Sequence, residues 1–122
     1  MFHEGDYDPA LQTLDFERRG TVSVGELLTF PFATTEATGY NAPVLVATAE
    51  EDAICCNPTA GLLPANCGTG DANMLAASRA LYPAASVYDW YIVPDMGHCW
   101  HLHYTAQDGF NASHEWLAVR GF

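Results

Sequence analysis

The chain has 122 residues, of which 49% are hydrophobic, so its length and composition suit one domain with a modest core. It carries 15 aspartates and glutamates, four arginines and no lysine, for a formal charge of -11. This charge repels phosphate backbones and anionic lipid, so we expect no nucleic-acid partner. The lack of lysine also excludes P-loop and Schiff-base chemistry, because both need that amine.

The sequence contains few signals for membrane insertion or for a cellular compartment. No apolar run approaches the roughly 18 to 20 residues that span a bilayer, and residues 1–6 do not resemble a signal peptide. We therefore expect no membrane span and leave the localisation open. Secretion is suggested by the triplet Asn111-Ala112-Ser113, a glycosylation acceptor, and by an even number of cysteines, which are Cys55, Cys56, Cys67 and Cys99.

The first third of the chain predicts two short helices. Asp8-Pro9 is a typical helix start, and the helix would end at Arg18-Arg19-Gly20. Apolar residues between Thr21 and Phe30 indicate a second helix, with Ser23 as its cap and Pro31 as its stop. Residues 31–42 are a polar connection.

The remainder predicts one strand-helix-strand unit and a final helix. Residues 44–48 form a continuous apolar, β-branched run, typical of a parallel strand buried on both faces. A Cys-containing loop at 53–70 follows, and then a helix at about 73–82, capped by Asp71 or Asn73. The second strand spans residues 86–93 and is ended by Pro94. A loop at 95–104 leads to the final helix, at about 106–119. Cys55 or Cys56 is expected to pair with Cys67 across the loop.

These elements predict an α/β architecture with an incomplete sheet. Two parallel strands alone cannot shield a run as apolar as residues 44–48. Further strands would come from an upstream portion or from a partner chain.

Two residues lie where open α/β sheets place their functional sites. Asp52 follows the first predicted strand and His98 follows the second. In Ser-His-Asp hydrolases a buried carboxylate orients the imidazole, which takes the proton of the nucleophile. Asp52 and His98 are therefore our candidate catalytic pair.

The segment from Ala42 to Asp52, APVLVATAEED, resembles the "PVLVxxGxxD" segment around the catalytic acid of α/β-hydrolases of the AB hydrolase-1 type, including fungal members. Pro94-Asp95-Met96-Gly97-His98 is similar to the Gly-His segment of that family. The resemblance implies that residues 43–122 form the C-terminal portion of the hydrolase fold, with Asp52 as acid and His98 as base. Residues 1–42 would be a helical connection from the lid to the core.

The chain departs from the family pattern at three points. Ala49 stands where the family usually has glycine, the Cys-containing loop lengthens the interval between the acid and the histidine, and no G-x-S-x-G nucleophile elbow is present. The closest imitation, Thr21-Val22-Ser23-Val24-Gly25, lacks the first glycine and a preceding buried strand, so we interpret Ser23 as a helix cap. We expect the nucleophile and the oxyanion-hole donors to lie upstream.

Other chemistry-bearing residues have simpler interpretations. A zinc cluster of His98, Cys99, His101 and His103, completed by Cys55 or Cys56, fits no strong signature, so we predict no metal and no cofactor. Cys99 as a nucleophile is disfavoured because sequence neighbours rarely point at each other. We interpret the aromatic residues of the second strand as packing, and assign no role to the acidic neighbours of Asp52.

The sequence therefore predicts part of an enzyme that hydrolyses a small ester-like substrate, carrying the acid and histidine but inactive alone. The alternative is a non-catalytic, acidic, disulfide-tied module that dimerises through an exposed sheet edge.

Overall fold

A computed structural model describes residues 5–29, 36–56, 67 and 74–122. In chain order the elements are α1 (Pro9–Arg18), α2 (Val24–Thr29), β1 (Val44–Glu51), α3 (Met74–Ala77), a 3₁₀ helix (Ser78–Leu81), β2 (Tyr88–Gly97), a second 3₁₀ helix (Trp100–Leu102) and α4 (Gln107–Ala118).

The two N-terminal helices begin at the predicted caps. The Asp8 carboxylate accepts a hydrogen bond from the Ala10 amide at 2.8 Å, with proline in the first helical position. At α2, the Ser23 hydroxyl accepts from the Glu26 amide at 3.2 Å, and Glu26 accepts from the Ser23 amide at 2.8 Å. This reciprocal capping box confirms the interpretation of Ser23 as a helix cap.

The sheet consists of β1 and β2, which pair in parallel from Val44 opposite Tyr88 to Ala49 opposite Val93. Strands separated by a helical segment and paired in parallel form the predicted strand-helix-strand unit. The chain is therefore α/β in its described part. β1 continues to Glu51, three residues beyond the predicted end.

The predicted end of the second strand at Pro94 is wrong, because β2 runs on to Gly97. The pairing shifts register after Ala49, so that Glu51 lies opposite Gly97. Pro94 falls inside this irregular stretch, between the paired residues Val93 and Gly97, where a strand tolerates a residue without an N–H. The neighbouring Asp95 has φ +55°, and its amide donates to the Glu50 carboxylate at 3.3 Å.

The predicted helix at 73–82 is present as α3 and the 3₁₀ helix after it, and it ends before Tyr82. Its two candidate caps, Asp71 and Asn73, lie outside the described residues. So does most of the predicted loop at 53–70, of which 53–56 and 67 are described.

Helices cover both faces of the strand pair. On one face Leu75 of α3 packs with Val46, Trp90 and Ile92. On the other face Ala49, Val93 and Met96 form a buried cluster against which Tyr91 and Trp100 pack. The aromatic residues of β2 thus act as packing residues, as expected from their alternation along the strand.

α4 is held to the second face by an aromatic and a polar contact. The ring of Trp100 lies 5.2 Å from that of Phe110, measured between centroids. Near the far end of the helix, the Trp116 indole donates to the Asp89 carboxylate at 2.6 Å, and Arg120 pairs with the same carboxylate at 2.5 Å. The Trp100 contact ties the loop between β2 and α4, which carries His98, to α4, and the Asp89 contacts tie the end of α4 to β2.

The expectation that β1 is buried on both faces holds only in part. Ala49 is fully buried, while the other β1 residues are half-buried. The reason is that, among the described residues, each strand has a single neighbour. Large exposed apolar side chains include Val24, Leu27 and Leu28 of α2, and Val119 directly after α4. Within the described part of the chain, no helix is both long and apolar enough for a bilayer crossing.

Candidate acid–histidine site

The structure brings Asp52 and His98 together at the carboxyl ends of the two strands. Asp52 directly follows β1, and His98 directly follows β2. Parallel strands end at the same edge of the sheet, so residues just beyond them become neighbours. The His98 Nδ1 lies 3.0 Å from Asp52 Oδ1 and 2.9 Å from Oδ2. The two predicted residues therefore form one hydrogen-bonded pair.

Asp52 is fully buried and receives several hydrogen bonds in addition to the one from His98. The Thr48 hydroxyl donates to Oδ2 at 2.6 Å. The amides of Ile54 and Cys55 donate to Oδ1 at 2.9 and 2.8 Å. A carboxylate that accepts from this many donors is held in one orientation.

These hydrogen bonds decide the ionisation state of Asp52. Burial alone would raise its pKa, because it penalises the charged form. The hydrogen bonds from the Cys55 amide, Thr48, His98 and the Ile54 amide outweigh burial and lower the pKa from 3.8 to about 2. Asp52 is thus a buried anion at neutral pH, and a carboxylate in that state can only accept hydrogen bonds.

The state of Asp52 selects the tautomer of His98. Because the carboxylate accepts, Nδ1 must carry the proton, which leaves the lone pair of a neutral ring on Nε2. The His98 side chain is 34% exposed, whereas that of Asp52 is 1% exposed. The pair is therefore a buried anion that orients a partly accessible imidazole, whose Nε2 has no hydrogen bond to the residues that the structure describes.

Cys55 borders the pair on the Nδ1 side. Its Sγ lies 3.9 Å from the His98 Nδ1. Burial, followed by the charge of Asp52 and a hydrogen bond to it, raises the pKa of this thiol. Asp52 and Cys55 thus face the same ring nitrogen, so Cys55 does not complete a Cys-His-Asp relay, which uses both nitrogens.

A disulfide joins Cys56 to Cys67, one of the pairings that the sequence left open. The Cys67 amide also donates to the Glu50 carbonyl at 3.0 Å, and the Cys56 amide to the Asp52 carbonyl at 3.0 Å. The covalent link therefore ties the turn after β1 back to the end of that strand. This is the turn whose amides hold the Asp52 carboxylate.

His98, Cys99, His101 and His103 do not come together as a ligand cluster among the described residues. His103 is buried beside Asp6, with 3.4 Å between Nδ1 and Oδ2, and His101 is exposed with its ring against Trp100. Cys56 is in the disulfide. The group of possible ligands that the described residues do bring together is Asp52, Cys55 and His98, whose ligand atoms lie within 4.8 Å of one another.

Cys99 is a free, partly buried cysteine. Burial raises the pKa of its thiol, and the negative charges of Asp15 and Asp52 act in the same direction. The thiolate form of Cys99 is therefore disfavoured, which argues against Cys99 as a nucleophile.

Sequence reasoning missed Thr48 and the Ile54 and Cys55 amides. Thr48 is four residues before Asp52, and an Asx-type turn after Asp52 is a recognisable local pattern. The contact of Thr48 with Oδ2 depends on how the chain turns after β1, so strand periodicity does not reveal it.

Comparison of the chain with models of protein families, with curated proteins and with solved structures finds no match.

Proposed function

We propose that residues 43–122 are the C-terminal portion of an α/β-hydrolase domain, with residues 1–42 as the connection from its lid. The observation that supports this most directly is the buried Asp52 carboxylate bonded to the His98 Nδ1 beyond two adjacent parallel strands. This is the relation between acid and base that Ser-His-Asp hydrolases use.

In the proposed reaction, Asp52 orients His98 and stabilises the imidazolium. His98 Nε2 takes the proton of a serine hydroxyl as that oxygen attacks an ester-like carbonyl, and then gives the proton to the leaving group. The serine and the oxyanion-hole donors would be supplied upstream of this chain, packed beside the edge of β1 that the described residues leave unpaired. We therefore expect the 122-residue chain to be inactive alone.

The test uses the native gene product captured from its source, with p-nitrophenyl esters as substrates. Introducing His98→Gln into the native gene should lower turnover by about 10⁴-fold or more, as expected for loss of a catalytic base. His101→Gln is the matched control, because His101 is exposed and three residues away. We expect it to leave turnover unchanged. Full turnover by the His98→Gln product, or ester hydrolysis by the pure 122-residue chain above an albumin background, would contradict the proposal.

The second candidate is a non-catalytic module that dimerises through its sheet edge. It is favoured by the half-buried β1 and by the exposed apolar side chains of α2. Sedimentation equilibrium of the pure chain tests it. A stable dimer whose native product shows no esterase activity would favour this candidate over the hydrolase.

A further inference from the structure

Three different metal-ligating groups converge at the end of the sheet. A carboxylate oxygen of Asp52, the Sγ of Cys55 and the Nδ1 of His98 all lie within 4.8 Å of one another. Carboxylate, thiolate and imidazole together are a donor set that Zn²⁺ accepts in proteins, whereas Mg²⁺ and Ca²⁺ prefer oxygen alone.

Two of the three separations between the ligand atoms are close to those around a tetrahedral zinc-type ion, and the third, between a carboxylate oxygen and Sγ, is no more than 4.8 Å. With bonds of about 2.0 to 2.2 Å to nitrogen and oxygen and about 2.3 Å to sulfur, the N···O edge is about 3.3 Å and the N···S edge about 3.6 Å. The edges here are 2.9 Å between Nδ1 and Oδ2 and 3.9 Å between Nδ1 and Sγ. Each needs to change by about half an ångström or less.

Hydrogen bonds hold the Asp52 carboxylate in place, as they hold the ligands of metal sites in proteins. Thr48 and two backbone amides hold the buried Asp52 without using all of its lone pairs, since a carboxylate has about four acceptor sites. The other two groups provide access, because Cys55 is exposed and the His98 side chain is 34% exposed. A cation can therefore enter from the Cys55 side while the buried ligand stays fixed.

From this geometry we propose that Asp52, Cys55 and His98 form a binding site for a thiophilic divalent cation of the zinc group. The cation bonds Oδ2, Sγ and Nδ1, and solvent completes its coordination. The proton on Nδ1 moves to Nε2, so that the imidazole stays neutral, and the thiol proton is released to solvent. Two anionic ligands then balance the charge of the cation.

Binding of the cation would change the chemistry of the Asp52–His98 pair. The cation takes the position of the proton shared by Asp52 and His98, and Nε2 then carries a proton in place of its lone pair. If the proposed function holds, cation binding thus switches off the general base. Binding itself depends only on the three ligands, so its failure would leave the hydrolase proposal untouched.

The test is a titration of the pure 122-residue chain with Cd²⁺, prepared without added thiols so that Cys56–Cys67 stays intact. Cd²⁺ bound by a thiolate produces an ultraviolet charge-transfer band. We expect this band to saturate at one Cd²⁺ per chain and to disappear when Zn²⁺ is added in competition. Isothermal calorimetry gives the affinity independently of the band.

Three variants separate this site from adventitious thiol binding. Cys55→Ser should abolish the band, and His98→Gln should weaken binding at least tenfold. Cys99→Ser, which removes the other free cysteine, should change neither band nor affinity. Circular dichroism of each variant checks that it keeps the wild-type fold. A band that survives Cys55→Ser, a band lost with Cys99→Ser, an affinity independent of His98, or no saturable binding by the wild type would each overturn the proposal.

Discussion

Replacing Asp52 with asparagine tests whether the buried carboxylate is held as an anion. The substitution keeps the size of the side chain and removes the charge that the surrounding donors stabilise. The native pKa of Asp52 is lowered from 3.8 to about 2, and the difference corresponds to about 2 kcal/mol of stability.

The sign follows from the direction of that change. A group with a lowered pKa in the folded state contributes stability that is fully present above its unfolded pKa of 3.8. The contribution is lost as the pH falls from about 4 towards about 2, because in this range the unfolded state binds a proton that the folded carboxylate does not. The asparagine variant has no such proton to bind at this position.

The assay is urea unfolding, followed by tryptophan fluorescence, at several pH values between about 2 and 6. The free energy of unfolding of the wild type should fall by about 2 kcal/mol more than that of Asp52→Asn across this range. Glu36→Gln, which replaces an exposed carboxylate in the connection before β1, should follow the wild-type curve. Parallel pH profiles for wild type and Asp52→Asn would refute the reasoning, because Asp52 would then not be a stabilised buried anion.

Three further experiments test the packing around the site, and one of them has a control substitution in α2. Thr48→Val removes the 2.6 Å hydrogen bond to Oδ2 at constant size, so it should lower the free energy of unfolding by about 1 to 3 kcal/mol and shift the acid transition to higher pH. Gly109→Ala should lower the stability of the folded chain, because the added Cβ would lie 2.5 Å from the Trp100 ring. The control substitution, Gly25→Ala in α2, should raise the free energy of unfolding by up to about 1 kcal/mol. Equal shifts of the melting temperature in the two variants would contradict this expectation. Reduction of the Cys56–Cys67 disulfide, which closes a short loop, should lower the free energy of unfolding by about 3 kcal/mol. A urea unfolding curve that is unchanged after reduction would argue against that pairing.

Local sequence signals predicted the helices, the strands and the Asp52–His98 pair, because each of these features depends on a few residues. Asp8 and Ser23 mark helix starts through bonds to their own helices, so no distant part of the chain is needed. Asp52 and His98 meet because parallel strands end at a common edge, which follows once two strands are recognised.

Features that depend on pairing between distant segments could not be predicted. Pro94 is a valid stop signal, yet β2 passes it, because the shift of register opposite Glu51 leaves room for a residue without an N–H. The choice of Cys56 over Cys55 as the partner of Cys67 depends on how the turn after β1 orients adjacent side chains. That same turn places Cys55 beside His98, where no spacing rule would put it.

The measurement that tests the hydrolase proposal most directly is made on the native product, captured with an antibody raised against this chain. Its intact mass is determined, and it is treated with a fluorophosphonate that labels activated serines. We expect a product of roughly twice 13.3 kDa or more, labelled on a serine outside these 122 residues, with labelling lost when His98 is replaced. A native product of 13.3 kDa that does not react with the probe would contradict the proposed function.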